Sequence, residues 1–131
     1  SKDVVYTFRR LLDPQTGSPA KAQLTGIDPD GIDAVDDYTV RFRLSSAIVE
    51  FPRAIANRFT YIVPNGSTKG DLRSQGVGSG PFKQERFVPG EEPSVFVKND
   101  RYWQKGVPLV DSIELRSITE EAARVAALER G

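Results

Sequence analysis

The side chains best suited to chemistry are the carboxylates of Asp28, Asp30, Asp33, Asp36 and Asp37, gathered into one short run. Hard cations prefer several such oxygens, so the cluster superficially suggests a calcium loop. The spacing argues against one. A calcium loop needs glycine at its sixth position and glutamate at its twelfth, whereas counting from Asp28 puts Gly31 fourth and Thr39 twelfth. Short acidic side chains at this density favour turn and cap chemistry. Gly76, Gly78 and Gly80 invite comparison with phosphate-cradling loops, but the lysine of a P-loop is missing and the run leads into a strand pattern, which favours a structural bend. With no histidine and no cysteine, the commonest general base and the strongest neutral-pH nucleophile are both absent. Glu91-Glu92 and Glu120-Glu121 fall in a turn and at a helix start, where they read as solvated charges. The expectation is no catalytic residues, no metal site and no cofactor.

Two aromatic stretches remain. Tyr102-Trp103 could stack on a ligand, yet an aromatic pair beside a turn reads first as a core anchor, with Trp103 buried and its indole N–H bonded. In Arg58, Phe59, Thr60 and Tyr61, strand alternation puts Phe59 and Tyr61 on one face and Arg58 and Thr60 on the other. One face would then fill a core while the other offers polar donors to a cleft.

The elements that hold these residues follow from periodicity. Val4, Val5, Phe8, Leu11 and Leu12 recur at helical spacing, so residues 2–12 form a predicted helix with Ser1 placed to cap it. Pro14, Gly17 and Pro19 end it in a loop, with a short turn over 21–24. Tyr38, Val40, Phe42 and Leu44 alternate with Thr39, Arg41 and Arg43 as a half-buried strand, partnered by residues 32–35 across an Asp36-Asp37 turn. Phe51, Ala54, Ile55 and Arg58 lie three or four apart, a short amphipathic helix with Pro52 in its first turn. The β-branched and aromatic run 59–63 reads as a short buried strand. Polar and glycine residues from Gly66 to Gly80 read as a mobile surface excursion between two sheet layers. Beyond it, 81–88 and 94–98 flank Pro89-Gly90-Glu91 as a β-hairpin, and Ile113 and Leu115 mark a further strand. Thr119 is placed to cap a last helix that Gly131 would close.

Several of these runs carry a likeness. GSGPF, FVPGE, VKNDRYW, DSIELRSI and EEAARVAALERG occur in the order and spacing that resemble extracellular solute-binding proteins of family 5, the peptide and nickel binding components of ABC importers. SKDVVYTFRRLLDPQTGSP extends the resemblance to the start. The chain departs at Asp100, where that family usually has proline after the asparagine matched by Asn99. The resemblance implies an α+β fragment of the α/β-type periplasmic binding proteins, with mixed or antiparallel sheets, β-hairpins and flanking helices. Residues 1–75 would be the later part of the small subdomain and 76–131 part of the main ligand-binding lobe. It further implies that Arg58, Phe59, Thr60 and Tyr61 lie near the ligand cleft. The partners it implies are a small solute or peptide and an ABC permease, in a periplasmic or extracellular setting with membrane association through the full-length form.

Composition sets outer bounds. Lys plus Arg and Asp plus Glu number 18 each in 131 residues, so no global field attracts a polyanion and nucleic acid is not an expected partner. No apolar run approaches the ~20 residues that span a bilayer. With no methionine the chain lacks an initiator, which fits a piece of something longer. The alternative reading is a self-contained α+β protein-interaction module. Under the fragment reading, solute binding by this chain alone is weak, and uncovered apolar faces favour self-association.

Overall fold

A computed structural model describes residues 1–130, and Gly131, expected as a helix cap, lies outside the described residues. The chain is α+β and divides into two compact units, Ser1–Lys69 and Gly70–Gly131.

In the first unit, α1 (Lys2–Leu12) buries Thr7, Phe8, Leu11 and Leu12, the stripe its 3.6-residue period brings to one side. Ser1 gives α1 no side-chain cap; its carbonyl accepts from Val5 N at 3.1 Å instead. The two prolines then start one-turn helical segments, Pro14–Thr16 and Pro19–Gln23, capped by the side chains of Asp13 and Ser18. Gly17 takes φ +64° between them, a left-handed conformation that side chains resist.

β1 (Ile27–Ala34) and β2 (Val40–Leu44) pair antiparallel, with Ile32 opposite Phe42 and Ala34 opposite Val40. A register shift between Ile27 and Ile32 bulges β1, so Ile27 and Ile32 both reach the core although an odd number of steps separates them. The Asp36 turn forms as the sequence suggests. Tyr38, expected on the inner face, is instead 99% exposed, because β2 begins only at Val40 and Tyr38 sits in that turn.

Phe8, Leu11, Leu12, Ala20, Leu24, Ile27 and Ile32 make the core, with Phe42, Phe51 and Phe59 packed against it. Phe42 stands edge-on to both Phe8 (5.1 Å) and Phe51 (5.3 Å), a geometry that aligns ring edges with faces. Phe51 comes from α2 (Phe51–Ile55), which carries proline in its first turn.

The second unit holds a three-stranded antiparallel sheet in the order β3 (Phe82–Arg86), β4 (Ser94–Lys98), β5 (Ser112–Leu115). β2 and β3 belong to different sheets, as the long connection between them suggested. The β3–β4 connection turns through Gly90 at φ +86°, and Glu91 N closes on Val88 O at 2.9 Å. Phe87 and Val88 lie past the end of β3 and are exposed, so the strand is shorter than its hydrophobic run. α3 (Asp71–Ser74) lies within the Gly66–Gly80 stretch expected as a mobile surface excursion. α4 (Glu121–Arg130) starts at Glu121, and Thr119 meets it through a carbonyl that accepts from Arg124 rather than as a hydroxyl cap.

Trp103 contradicts its sequence reading. It is 77% exposed and touches Tyr102 at 5.5 Å with a tilted ring. The Asn99 turn, closed by Tyr102 N to Asn99 O at 2.9 Å, leaves the half-buried Tyr102 as the better covered ring of the pair.

Candidate functional site

The segment 57–63 is not a strand, and its geometry overturns the simple alternation. Thr60 is the buried residue, at 5% exposure, while Tyr61 is 76% exposed. Backbone groups that a ladder would need are taken by side chains. Thr7 Oγ1 donates to Val63 O at 3.3 Å and accepts from Val63 N at 3.0 Å, doing for one residue what a neighbouring strand does for many.

Asn57 and Thr60 wind the turn that precedes Val63. Asn57 Nδ2 donates to Ala54 O at 2.6 Å, and Asn57 Oδ1 accepts from Phe59 N at 2.8 Å. Thr60 Oγ1 lies 2.8 Å from both Ile55 O and Asn57 O and accepts from Asn57 N at 3.2 Å. Such local side-chain bonds compete with strand pairing, and here they win.

The turn sorts its four candidate residues into two pairs. Phe59 packs against the core and Thr60 is consumed by hydrogen bonding, so these two hold the turn. Arg58 and Tyr61 face outward. The Arg58 guanidinium sits 4.7 Å from the Phe59 ring centroid, a cation–π contact that orients it while leaving its in-plane N–H donors open. The turn therefore offers a charged donor and a phenol on a frame anchored in the core. The signal that separates the pairs was in the sequence: Asn57 and Thr60 have side chains that bond their own backbone, unlike ladder formers.

Two carboxylates of the acidic run, Asp28 and Asp36, serve as turn caps. Asp28 Oδ1 accepts from Asp30 N at 3.0 Å, and Asp36 Oδ1 accepts from both Tyr38 N and Thr39 N at 2.7 Å. The bonds from the Tyr38 amide, then from Thr39, hold the Asp36 carboxyl below its ordinary range. Among the described residues no group of three acidic, histidine or cysteine side chains could hold a metal ion, and no helix is long and apolar enough to cross a membrane.

Residues 1–131 match the family described as bacterial extracellular solute-binding proteins, family 5 Middle, and the chain belongs to that family. It is 30% identical over 145 aligned residues to di/tripeptide-binding protein 2 of Pseudomonas aeruginosa, covering 98% of this chain and 27% of that protein. With the periplasmic oligopeptide-binding protein OppA of Salmonella typhimurium it shares 26% identity over 98% of this chain and 27% of that protein. The solved structure of the PBP AgaA of A. tumefaciens R10 in complex with agropinic acid superposes with a TM-score of 0.86 at 30% identity, over 98% of this chain and 26% of that one. DppA of Helicobacter pylori, in complex with the peptide STSA, gives a TM-score of 0.80 at 26% identity, over all of this chain and 28% of that one. The chain thus spans about a quarter of the length of the relatives it matches.

Proposed function

We propose that this chain supplies part of the ligand-binding wall of an ABC importer's solute-binding protein, acting in the periplasm or outside the cell and delivering a peptide or a similar small solute to a membrane permease. It binds and releases its solute without chemical change. Residues 1–75 belong, in this reading, to the small subdomain and 76–131 to the main lobe. Relatives named for di/tripeptides, oligopeptides and murein peptide support a peptide ligand.

The observation that carries the site is the side-chain-wound turn at 57–61. It spends Thr60 and Phe59 on rigidity and leaves Arg58 and Tyr61 facing outward. Pre-formed donors lose little freedom on meeting a ligand, and an arginine fork matches the geometry of a carboxylate. A ligand touched on one side only gains little enclosure, so binding by this chain alone is weak, about millimolar. Tripeptide titration followed by amide chemical shifts tests this. Saturable shifts centred on Arg58 and Tyr61 are the expected result, and spectra unchanged across 57–61 overturn the assignment. Sedimentation on the same samples tests the self-association that uncovered apolar side chains favour.

A further inference from the structure

A cleft of about 640 Å³ in the first unit runs beside α1 and shares no residue with the 57–61 turn. Its volume falls in the range of small-ligand sites. Lys2, Arg9 and Arg10 line it, with Asp13 the one acidic side chain there. Val5, Ala34 and Tyr6 add apolar surface.

The two arginines differ in their commitments. Arg9 Nη2 donates to Ile32 O at 2.9 Å and so ties α1 to β1. Arg10 is half-buried, yet among the described residues its side chain has no ion pair and no hydrogen bond. A partly desolvated guanidinium gains more from an anion than an exposed one does. Asp13 makes no ion pair with Arg10, and its Oδ1 accepts from Gln15 N at 2.9 Å instead. The walls are firm. Tyr6 Oη donates to Ser67 O at 2.5 Å, and Asn65 N, at the cleft edge, is held by Asp3 Oδ1 at 2.8 Å.

We infer that this cleft binds a small carboxylate borne on an apolar stem, with Arg10 taking the carboxylate and Val5 and Ala34 receiving the stem. The inference stands on the cleft alone and does not depend on the 57–61 site.

The test is an NMR titration of the 131-residue chain with N-acetyl-leucine, N-acetyl-leucinamide and inorganic phosphate. N-acetyl-leucine is expected to give saturable shifts at the Arg10 Nε–H and the Tyr6 and Asn65 amides. The amide lacks the charge and phosphate lacks the stem, so each should bind roughly tenfold more weakly, as losing a charge-assisted hydrogen bond or a buried apolar group implies. Arg10→Gln should abolish the preference for carboxylate over amide, while an unmoved Val63 amide reports that the Thr7 contact and the fold persist. Equal affinity for carboxylate and amide overturns the proposal without any variant. So does an undiminished preference in Arg10→Gln, or the absence of saturation by concentrations on the order of tens of millimolar.

Discussion

Gln84 and Gly76 are locked together in the second unit: Gly76 N donates to Gln84 Oε1 at 2.7 Å, and that oxygen occupies the space where a Cβ at position 76 would stand. Gln84 Nε2 completes the grip by donating to Ser74 O at 2.9 Å. One amide side chain thus ties the chain leaving α3 to β3. Gly76→Ala should displace it. Alanine also removes freedom from the unfolded chain, a gain of about 0.4–1 kcal/mol that masks the loss in a single variant. A double-mutant cycle with Gln84→Ala separates the two effects. The expected coupling is about 1 kcal/mol by denaturant unfolding, and additive effects would show that the grip contributes nothing.

Thr60→Val keeps the volume of a buried side chain but removes its hydroxyl. The carbonyls of Ile55 and Asn57 and the amide of Asn57 then lose a partner. A loss of about 1–3 kcal/mol in unfolding free energy is expected, with Thr60→Ser recovering most of it. Val and Ser variants of equal stability would mean the hydroxyl is idle.

Trp103 is the only tryptophan, so its fluorescence reports one environment. With the ring 77% exposed, emission should lie near that of tryptophan in water, and Trp103→Ala should change stability by no more than about 0.5 kcal/mol. Leu24→Ala, in the core at 1% exposure, should cost about 2–5 kcal/mol in the same assay.

Asp36 makes the β1–β2 turn sensitive to acid. Its carboxyl titrates below the ordinary value of 3.8 in the folded chain, so its contribution is complete above that value and disappears as pH falls through the lower, folded-state one. Carboxyl chemical shifts should show Asp36 titrating below a carboxylate free of such bonds. Asp36→Asn, which carries no charge, should flatten the part of the acid stability profile that belongs to this turn.

The sequence was most legible where one residue type served one purpose. Helix α1 and strand β2 carry clean periods of 3.6 and 2, and the Asp36 turn rests on a side chain that bonds only two or three residues ahead. The 59–63 run misled because its composition is that of a strand, while its partners lie at Thr7, 56 residues away from Val63, and in the side chain of Asn57. Trp103 misled because burial depends on what covers a ring rather than on the ring. At the candidate site, position along the chain was readable, but the roles of Thr60 and Tyr61 depended on which backbone groups were already spoken for.

Among the described residues, every fully buried side chain lies in Ser1–Lys69, and the side chains of the second unit's sheet are half-covered at most. Resistance to opening follows dry apolar contact more closely than it follows the number of strands. The two halves should therefore answer a protease at different times. Cuts should accumulate first within 70–130, leaving a resistant N-terminal product that retains α1, β1 and β2, and deuterium should enter the β3–β4–β5 amides well before those of Phe8 or Ile32.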